Sequence, residues 1–87
     1  MKNIKSVTVY STTWCPYCKM EEDWLLDNDV AFKTILIDED ETAATYIVEK
    51  SGQRGVPVTE VKYDDDTAEY VIGFDRPGLS KILELKK

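Results

Sequence analysis

The sequence predicts an α/β fold, a four-stranded mixed sheet flanked by three helices in the order β-α-β-α-β-β-α, and three observations carry that expectation. Residues 7–10 alternate apolar with polar and then, past Ser11-Thr12-Thr13, give way to apolar residues at helical spacing from Pro16 onward. The hydrophobic period thus switches from two to about 3.6. A β-rich stretch at residues 30–37 precedes a second helically spaced segment. Two more β-rich runs, at residues 56–63 and 68–72, bracket the turn-forming Asp64-Asp65-Asp66-Thr67 as a hairpin would. At 87 residues there is room for one hydrophobic core, so residues 1–87 are expected to form a single domain.

Each element carries its own signals. In the first helix Pro16 is tolerated in the opening turn, and Tyr17, Met20, Trp24 and Leu25 recur as an apolar face. Glu21, Glu22 and Asp23 are assigned to the opposite face, and the helix is expected to fade at Asp27-Asn28-Asp29. The acidic cluster Asp38-Glu39-Asp40-Glu41 closes the second strand, and Thr42 or a neighbouring acid begins the next helix. There Ala44, Ile47, Val48 and Ser51 share one face and Gly52 is the expected C-cap. The strand after Gln53-Arg54-Gly55 starts just behind Pro57, where the missing N–H is tolerated, and Gly73 ends its hairpin partner. Leu79, Ile82 and Leu83 repeat in a short C-terminal helix that runs into a basic tail, as the helix dipole prefers. Trp24, Phe32 and Ile47 are expected in the core. A β-α-β start requires parallel strands with a right-handed crossover, and the hairpin adds an antiparallel edge. That arrangement is the minimum of the thioredoxin fold. In open α/β sheets the site lies beyond the carboxyl ends of the strands, where Cys15 falls between the first strand and the first helix.

Composition excludes much. No apolar run approaches the roughly 18 residues needed to cross a bilayer, and the N-terminus lacks an apolar export segment, so a cytoplasmic protein is expected. The net charge of −6, with 17 acidic residues spread along the chain, disfavours nucleic acid and anionic membrane as partners. With no histidine, Ser-His-Asp and Cys-His mechanisms and histidine-ligated metals are impossible. The Asp64-Asp65-Asp66 run lacks the further ligands of a calcium loop and is expected to be a solvated hairpin tip.

The two cysteines, Cys15 and Cys18, carry the chemistry. A bridge between them would close a trivial loop and contribute little as a staple. A redox role needs a thiolate, hence an environment that lowers the thiol pKa from ~8.5 into the range ~3.5–7.5, and a helix N-terminus provides one. Lys19 adds positive charge nearby. Cys18 lies close to one helical turn on, about 5–6 Å between Cα atoms, within reach of a disulfide. Pro16 removes an unused donor and stiffens the loop. Zinc would need a second ligand pair that the chain lacks; two chains together could supply four thiolates to zinc or to an iron–sulfur cluster.

Over essentially its whole length the chain resembles the glutaredoxin family. Cys15-Pro16-Tyr17-Cys18 is identical to that family's usual active-site tetrapeptide. Gly55-Val56-Pro57 looks like the family's Thr-Val-Pro, which implies a cis Pro57 and a Val56 backbone offered to an extended thiol substrate. Gly73-Phe74-Asp75 looks like the Gly-x-Asp that receives the γ-glutamyl end of glutathione. The resemblance implies a dithiol oxidoreductase acting on protein or small-molecule disulfides, Cys15 as nucleophile and Cys18 as resolving thiol, with no tightly bound cofactor and a monomeric state.

The departures bear on the electron source. Thr12 stands where glutaredoxins usually carry a lysine for glutathione's glycyl carboxylate, Ile72-Gly73 replaces a Gly-Gly, and Arg76 replaces a second Asp. The run from Gly73 to Pro77 is similar to the Gly-Phe-Arg-Pro of NrdH-type redoxins, which draw electrons from thioredoxin reductase and NADPH, and Trp14 before Cys15 is similar to thioredoxin's Trp-Cys. Both thioredoxin reductase and glutathione stand as expected donors. Arg54 or Gln53 is either a substitute contact for a carboxylate or an exposed loop residue. Trp14 is an apolar wall for substrate or a cover for the loop, and Tyr17 a lid beside the sulfurs or a surface aromatic. The alternative function is an iron–sulfur carrier bridged through Cys15 of two chains; Pro16 counts against it, since cluster-binding relatives alter that position.

Overall fold

The computed structural model describes residues 3–53 and 55–84. Among them the elements follow in the expected order: β1 (Ile4–Ser11), α1 (Pro16–Asp27), β2 (Lys33–Leu36), α2 (Glu41–Ser51), β3 (Val58–Tyr63), β4 (Ala68–Ile72) and α3 (Arg76–Ile82). The strands form one mixed sheet in the order β2-β1-β3-β4, with β1 parallel to β2, β1 antiparallel to β3, and β3 antiparallel to β4. This is the thioredoxin-like fold. None of the described helices is long and apolar enough to cross a membrane.

Side chains alternate across a strand, so register sorts them onto two faces. One face carries Tyr10 and Val58, buried against Ile47 of α2 and flanked by Ile35, Ile37, Ala43, Tyr46 and Tyr70. Glu60 is buried on that face, and its Oε2 accepts from the hydroxyls of Tyr46 and Tyr70, the latter at 2.9 Å. The other face carries Val7, Val9, Thr59, Val61 and Val71, and receives Cys18, Glu21 and Leu25 from α1. There the Thr59 hydroxyl donates to Glu21, and the Thr34 hydroxyl donates to Glu22 at 2.7 Å. Phe74 meets the Trp24 ring edge-on at 6.0 Å, which sets the start of α3 beside α1, and Leu79 of α3 is buried. Both following helices are capped as polar chemistry demands. Asp40 accepts from the Ala43 amide at 3.1 Å and Asp75 from the Gly78 amide at 3.1 Å, while Gly52 ends α2 with φ at 78°.

Four sequence expectations need correcting. β1 reaches back to Ile4, because backbone pairing with β3 continues to Tyr63 through a register shift between Ile4 and Ser6, where side-chain alternation gives no signal. β2 is confined to Lys33–Leu36, which stand in register with Thr8–Ser11 of β1, and the Ile37 N–H adds one more bond to the Ser11 carbonyl at 2.8 Å. β3 begins at Val58, just behind Pro57 as expected, so Val56 and Pro57 of the β-rich run lie outside it. The largest difference concerns α1, whose buried stripe is Cys18, Glu21 and Leu25, while Tyr17 and Met20 are 62% and 50% exposed. The cap at Cys15 sets the rotation of the helix, so the residue three further on turns to the sheet whatever its polarity. Ile47 is core as expected, whereas Trp24 and Phe32 are only half-buried. The expected basic tail lies outside the described residues.

Leu25 is fully buried and Leu26 is 63% exposed, so the two neighbours test the orientation of α1 directly. Leu25→Ala is expected to lower the unfolding free energy by ~2–5 kcal/mol in a denaturant titration, and Leu26→Ala to change it by less than about 0.5 kcal/mol.

Candidate active site

The carboxyl ends of β1, β2 and β4 and the start of β3 meet at one edge of the sheet, since Ser11 pairs with Leu36, Tyr10 with Val58, and Val58 with Ile72. That edge gathers the Cys15 loop, the Pro57 loop and the Gly73–Asp75 segment. Cys15 is the N-cap of α1 in an extended backbone conformation, and its Sγ accepts the Cys18 backbone N–H at 3.2 Å. A sulfur thus takes the place of the usual capping oxygen before N–H groups that the helix leaves unpaired. Pro16 follows in the first turn, where it has no N–H to leave unsatisfied. The two cysteines are joined as a disulfide with Cα atoms 5.3 Å apart. Cys15 is half-buried and Cys18 only 2% exposed, so one sulfur lies toward solvent and the other toward the core.

The loop before Cys15 is held from the side. Asp38, just past β2, accepts from the Thr13 hydroxyl at 2.6 Å and from the Thr13 amide at 3.1 Å. The hydroxyl bond, with the amide bond behind it, holds the Asp38 carboxyl below the usual carboxylate range. Sequence pattern does not single out Asp38, because three further acids follow it and their roles diverge only in space: Asp40 caps α2 instead.

The sequence-selected residues fall on two sides of Cys15. On the β3 and β4 side the Val56–Pro57 bond is cis, Pro57 is buried, and the Gly73 N–H donates to the Pro57 carbonyl at 2.8 Å. Val56, Pro57, Gly73, Phe74 and Asp75 are thereby brought together, and Asp75 is already engaged as the cap of α3. Arg76 lies over the Phe74 ring at 5.9 Å. Trp14 and Tyr17 stand outward, Trp14 at 72% exposure. On the β2 side a groove of about 450 Å³ is lined by Ser11, Thr12, Thr13, Lys19, Glu22 and Thr34 together with the two cysteines and Leu36. The Thr12 hydroxyl there is buried with no hydrogen-bond partner among the described residues. Arg54 lies outside the described residues; its neighbour Gln53 bonds the Gly55 carbonyl at 3.4 Å. Among the described residues no three of Cys, Asp and Glu converge as a metal ion would require.

A cysteine pair at the first turn of a helix, at the carboxyl edge of a thioredoxin-like sheet, defines a redox protein of that fold. The glutaredoxin family model matches residues 7–64, and the chain belongs to the glutaredoxin family. It is 42% identical over 52 residues to the glutaredoxin-like protein NrdH of Lactococcus lactis subsp. cremoris, covering 60% of this chain and 71% of that one. It is 35% identical over 65 residues to mycoredoxin 1 of Corynebacterium glutamicum, covering 74% and 77% of the two chains. Among solved structures, a glutaredoxin from Archaeoglobus fulgidus superposes with a TM-score of 0.75 at 26% identity, over 90% of this chain and 85% of that one.

The residue that sequence pattern misplaced most is Glu21. It is fully buried, and burial pushes its carboxyl from the ordinary 4.5 up to about 7; the Thr59 hydroxyl opposes the shift and the Glu22 charge adds to it. A carboxyl whose folded pKa is raised favours folding when protonated. Its contribution is therefore complete below about pH 4.5 and is lost as pH rises through about 7. Between those limits the loss is on the order of 3 kcal/mol. The difference in unfolding free energy between wild type and Glu21→Gln is expected to change by that order between pH 4.5 and 8; a difference independent of pH would refute it.

Proposed function

We propose that the protein is a dithiol–disulfide reductase in which Cys15 is the nucleophile and Cys18 the resolving thiol. One observation carries this reading: the outward sulfur caps α1 and accepts a backbone N–H, while the second sulfur sits behind it, shielded from solvent. In the reduced protein the Cys15 thiolate attacks one sulfur of a substrate disulfide and expels the other as a thiolate, forming a mixed disulfide. Cys18 then attacks Cys15 Sγ, the substrate leaves with both its sulfurs reduced, and the pair is left oxidised. Two electrons have passed from the cysteine pair to the substrate.

Substrate is received by backbone and apolar surface. The Val56 backbone beside the cis proline aligns an extended chain, Trp14 and Tyr17 offer flat apolar area, and Gly73, Phe74 and Asp75 border the far side, with Arg54, three positions before Pro57 in sequence, as a further contact. Disulfide-containing proteins suit this shallow edge, and neither nucleic acid nor membrane suits the negative charge. The chain acts as a cytoplasmic monomer without a tightly bound cofactor. The iron–sulfur carrier alternative gains no support from the site.

Electrons come from a thioredoxin reductase with NADPH in preference to glutathione. Glutathione presents a carboxylate at each end, and each charge-assisted contact contributes on the order of 1.5–3 kcal/mol. Thr12 offers a neutral hydroxyl where one such charge is needed, and the Asp75 carboxylate is engaged as a helix cap. The similarity to NrdH points the same way.

The test is turnover on a protein disulfide with each donor system. Thioredoxin reductase and NADPH are expected to sustain it at least tenfold faster than glutathione with its reductase, and Thr12→Lys to raise only the glutathione rate. Cys15→Ser is expected to abolish reduction and Cys18→Ser to accumulate the mixed disulfide. Equal activity of both serine variants contradicts the mechanism; efficient glutathione turnover that ignores thioredoxin reductase contradicts the donor.

A further inference from the structure

Cys18 poses a problem that the helix cap does not solve. The cap favours negative charge on Cys15, but Cys18 is 2% exposed, and burial in apolar surroundings keeps a thiol protonated. A thiol is a poor nucleophile, so resolution of the mixed disulfide needs a proton acceptor where water does not reach.

One candidate stands a turn further along the same helix. Cys18, Glu21 and Leu25 form the buried stripe of α1, and residues three apart on a helix have Cβ atoms roughly 5–6 Å from each other. Glu21 Oε2 accepts from the Thr59 hydroxyl on β3, two residues beyond Pro57, whereas Oε1 is buried with no hydrogen-bond partner among the described residues. In the disulfide form Cys18 has no proton to donate; in the dithiol form its S–H supplies a donor one helical step from Glu21 on the same buried stripe. A leucine at position 21 would continue the apolar stripe without the cost of desolvating a carboxyl.

We infer that Glu21 exchanges a proton with Cys18 during the redox cycle. This rests on the two-cysteine mechanism above. In the resolving step the Cys18 S–H bond breaks, its proton goes to the Glu21 carboxylate, and the sulfur attacks Cys15 Sγ. The S–S bond between Cys15 and substrate breaks, and the substrate sulfur leaves as a thiolate. Two electrons pass from the cysteine pair to the substrate sulfur, and one negative charge moves from carboxylate to leaving group. In the reverse direction a donor thiolate attacks Cys15 Sγ, and the departing Cys18 thiolate recovers the proton from the Glu21 carboxyl.

The surroundings suit both directions. Burial holds the carboxyl near 7, so at neutral pH it is divided between acceptor and donor forms. On its own helix Glu22 is the charged group that acts on it, and Glu22 is itself bound by the Thr34 hydroxyl of β2. On β3 it meets the uncharged Thr59 hydroxyl. Farther along the same sheet face lie Tyr63 of β3 and, opposite Val61, Glu69 of β4; the Tyr63 hydroxyl donates to Glu69 at 3.2 Å. β1 brings the uncharged Val7, Val9 and Ser11 to this face. Beside α1, Asp75 caps α3 and Arg76 lies over Phe74.

A single-turnover reaction with a symmetric nitroaryl disulfide separates the steps, because attack by Cys15 releases the first coloured thiolate and resolution by Cys18 the second. Glu21→Gln is expected to keep the first release within twofold and to slow the second at least tenfold at pH 7. The second release should also lose its inflection near pH 7 and recover above about pH 9, where solvent deprotonates the thiol directly; Glu21→Asp should restore part of the rate. An unchanged rate and pH profile of the second release in Glu21→Gln overturns the role of Glu21. Cys18→Ser distinguishes the two levels: arrest after the first thiolate keeps the two-cysteine mechanism, and release of both thiolates overturns it and this inference together. If Glu21→Gln does not fold, carboxyl carbon NMR of the wild type decides, with a Glu21 midpoint that differs between dithiol and disulfide forms expected and an identical midpoint overturning the inference.

Discussion

An α-helix starts with backbone N–H groups that it cannot satisfy itself, and in this chain the first acceptor offered to them is the sulfur of Cys15. Much of the surrounding structure serves that placement. The cap must stand at the carboxyl edge of the sheet, so a strand ends at Ser11 and a short loop turns there. The loop is pinned by Asp38 from the end of the neighbouring parallel strand. Pro16 fits only because the position after a cap has no hydrogen bond to lose. The same cap fixes the rotation of α1, and with it the inward direction of Cys18, Glu21 and Leu25.

The sheet buries a carboxyl against each of its mostly apolar faces. On the α2 side Glu60 collects the hydroxyls of Tyr46 and Tyr70, and desolvation raises the pKa of Tyr10 and of Tyr70 above the ordinary value. That network joins α2 to β3 and β4, and its acceptor is served by two donors. On the α1 side Glu21 has one oxygen served by Thr59 and the other unserved among the described residues. Thr59, the partner of Glu21, and Glu60 itself are neighbours on β3 and face opposite sides of the sheet. The satisfied carboxyl lies on the α2 face of the sheet, and the other lies on α1 in the same buried stripe as Cys18.

The element order was legible because hydrophobic period, prolines and glycines agreed at every junction, and the tetrapeptide from Cys15 to Cys18 was legible because its spacing has a chemical meaning. The rotation of α1 was not. Tyr17, Met20, Trp24 and Leu25 make a plausible apolar face by count, whereas the cap geometry turns Cys18 and Glu21 inward and leaves Tyr17 and Met20 at the surface. The Thr13 to Asp38 bonds join residues 25 apart in sequence, and nothing local distinguishes Asp38 from Glu39, Asp40 or Glu41. β2 ended where its partner ended, a property of the pair and not of the β-rich stretch 30–37 itself.

All of this rests on the claim that the N-terminus of α1 holds the Cys15 sulfur as a thiolate, and the most direct measurement is the ultraviolet thiolate absorbance of reduced Cys18→Ser as a function of pH. A single titration with a midpoint inside the range ~3.5–7.5 is the predicted result, because the remaining thiol is the capped one. A midpoint at or above ~8.5, the value of a thiol without such help, would contradict it.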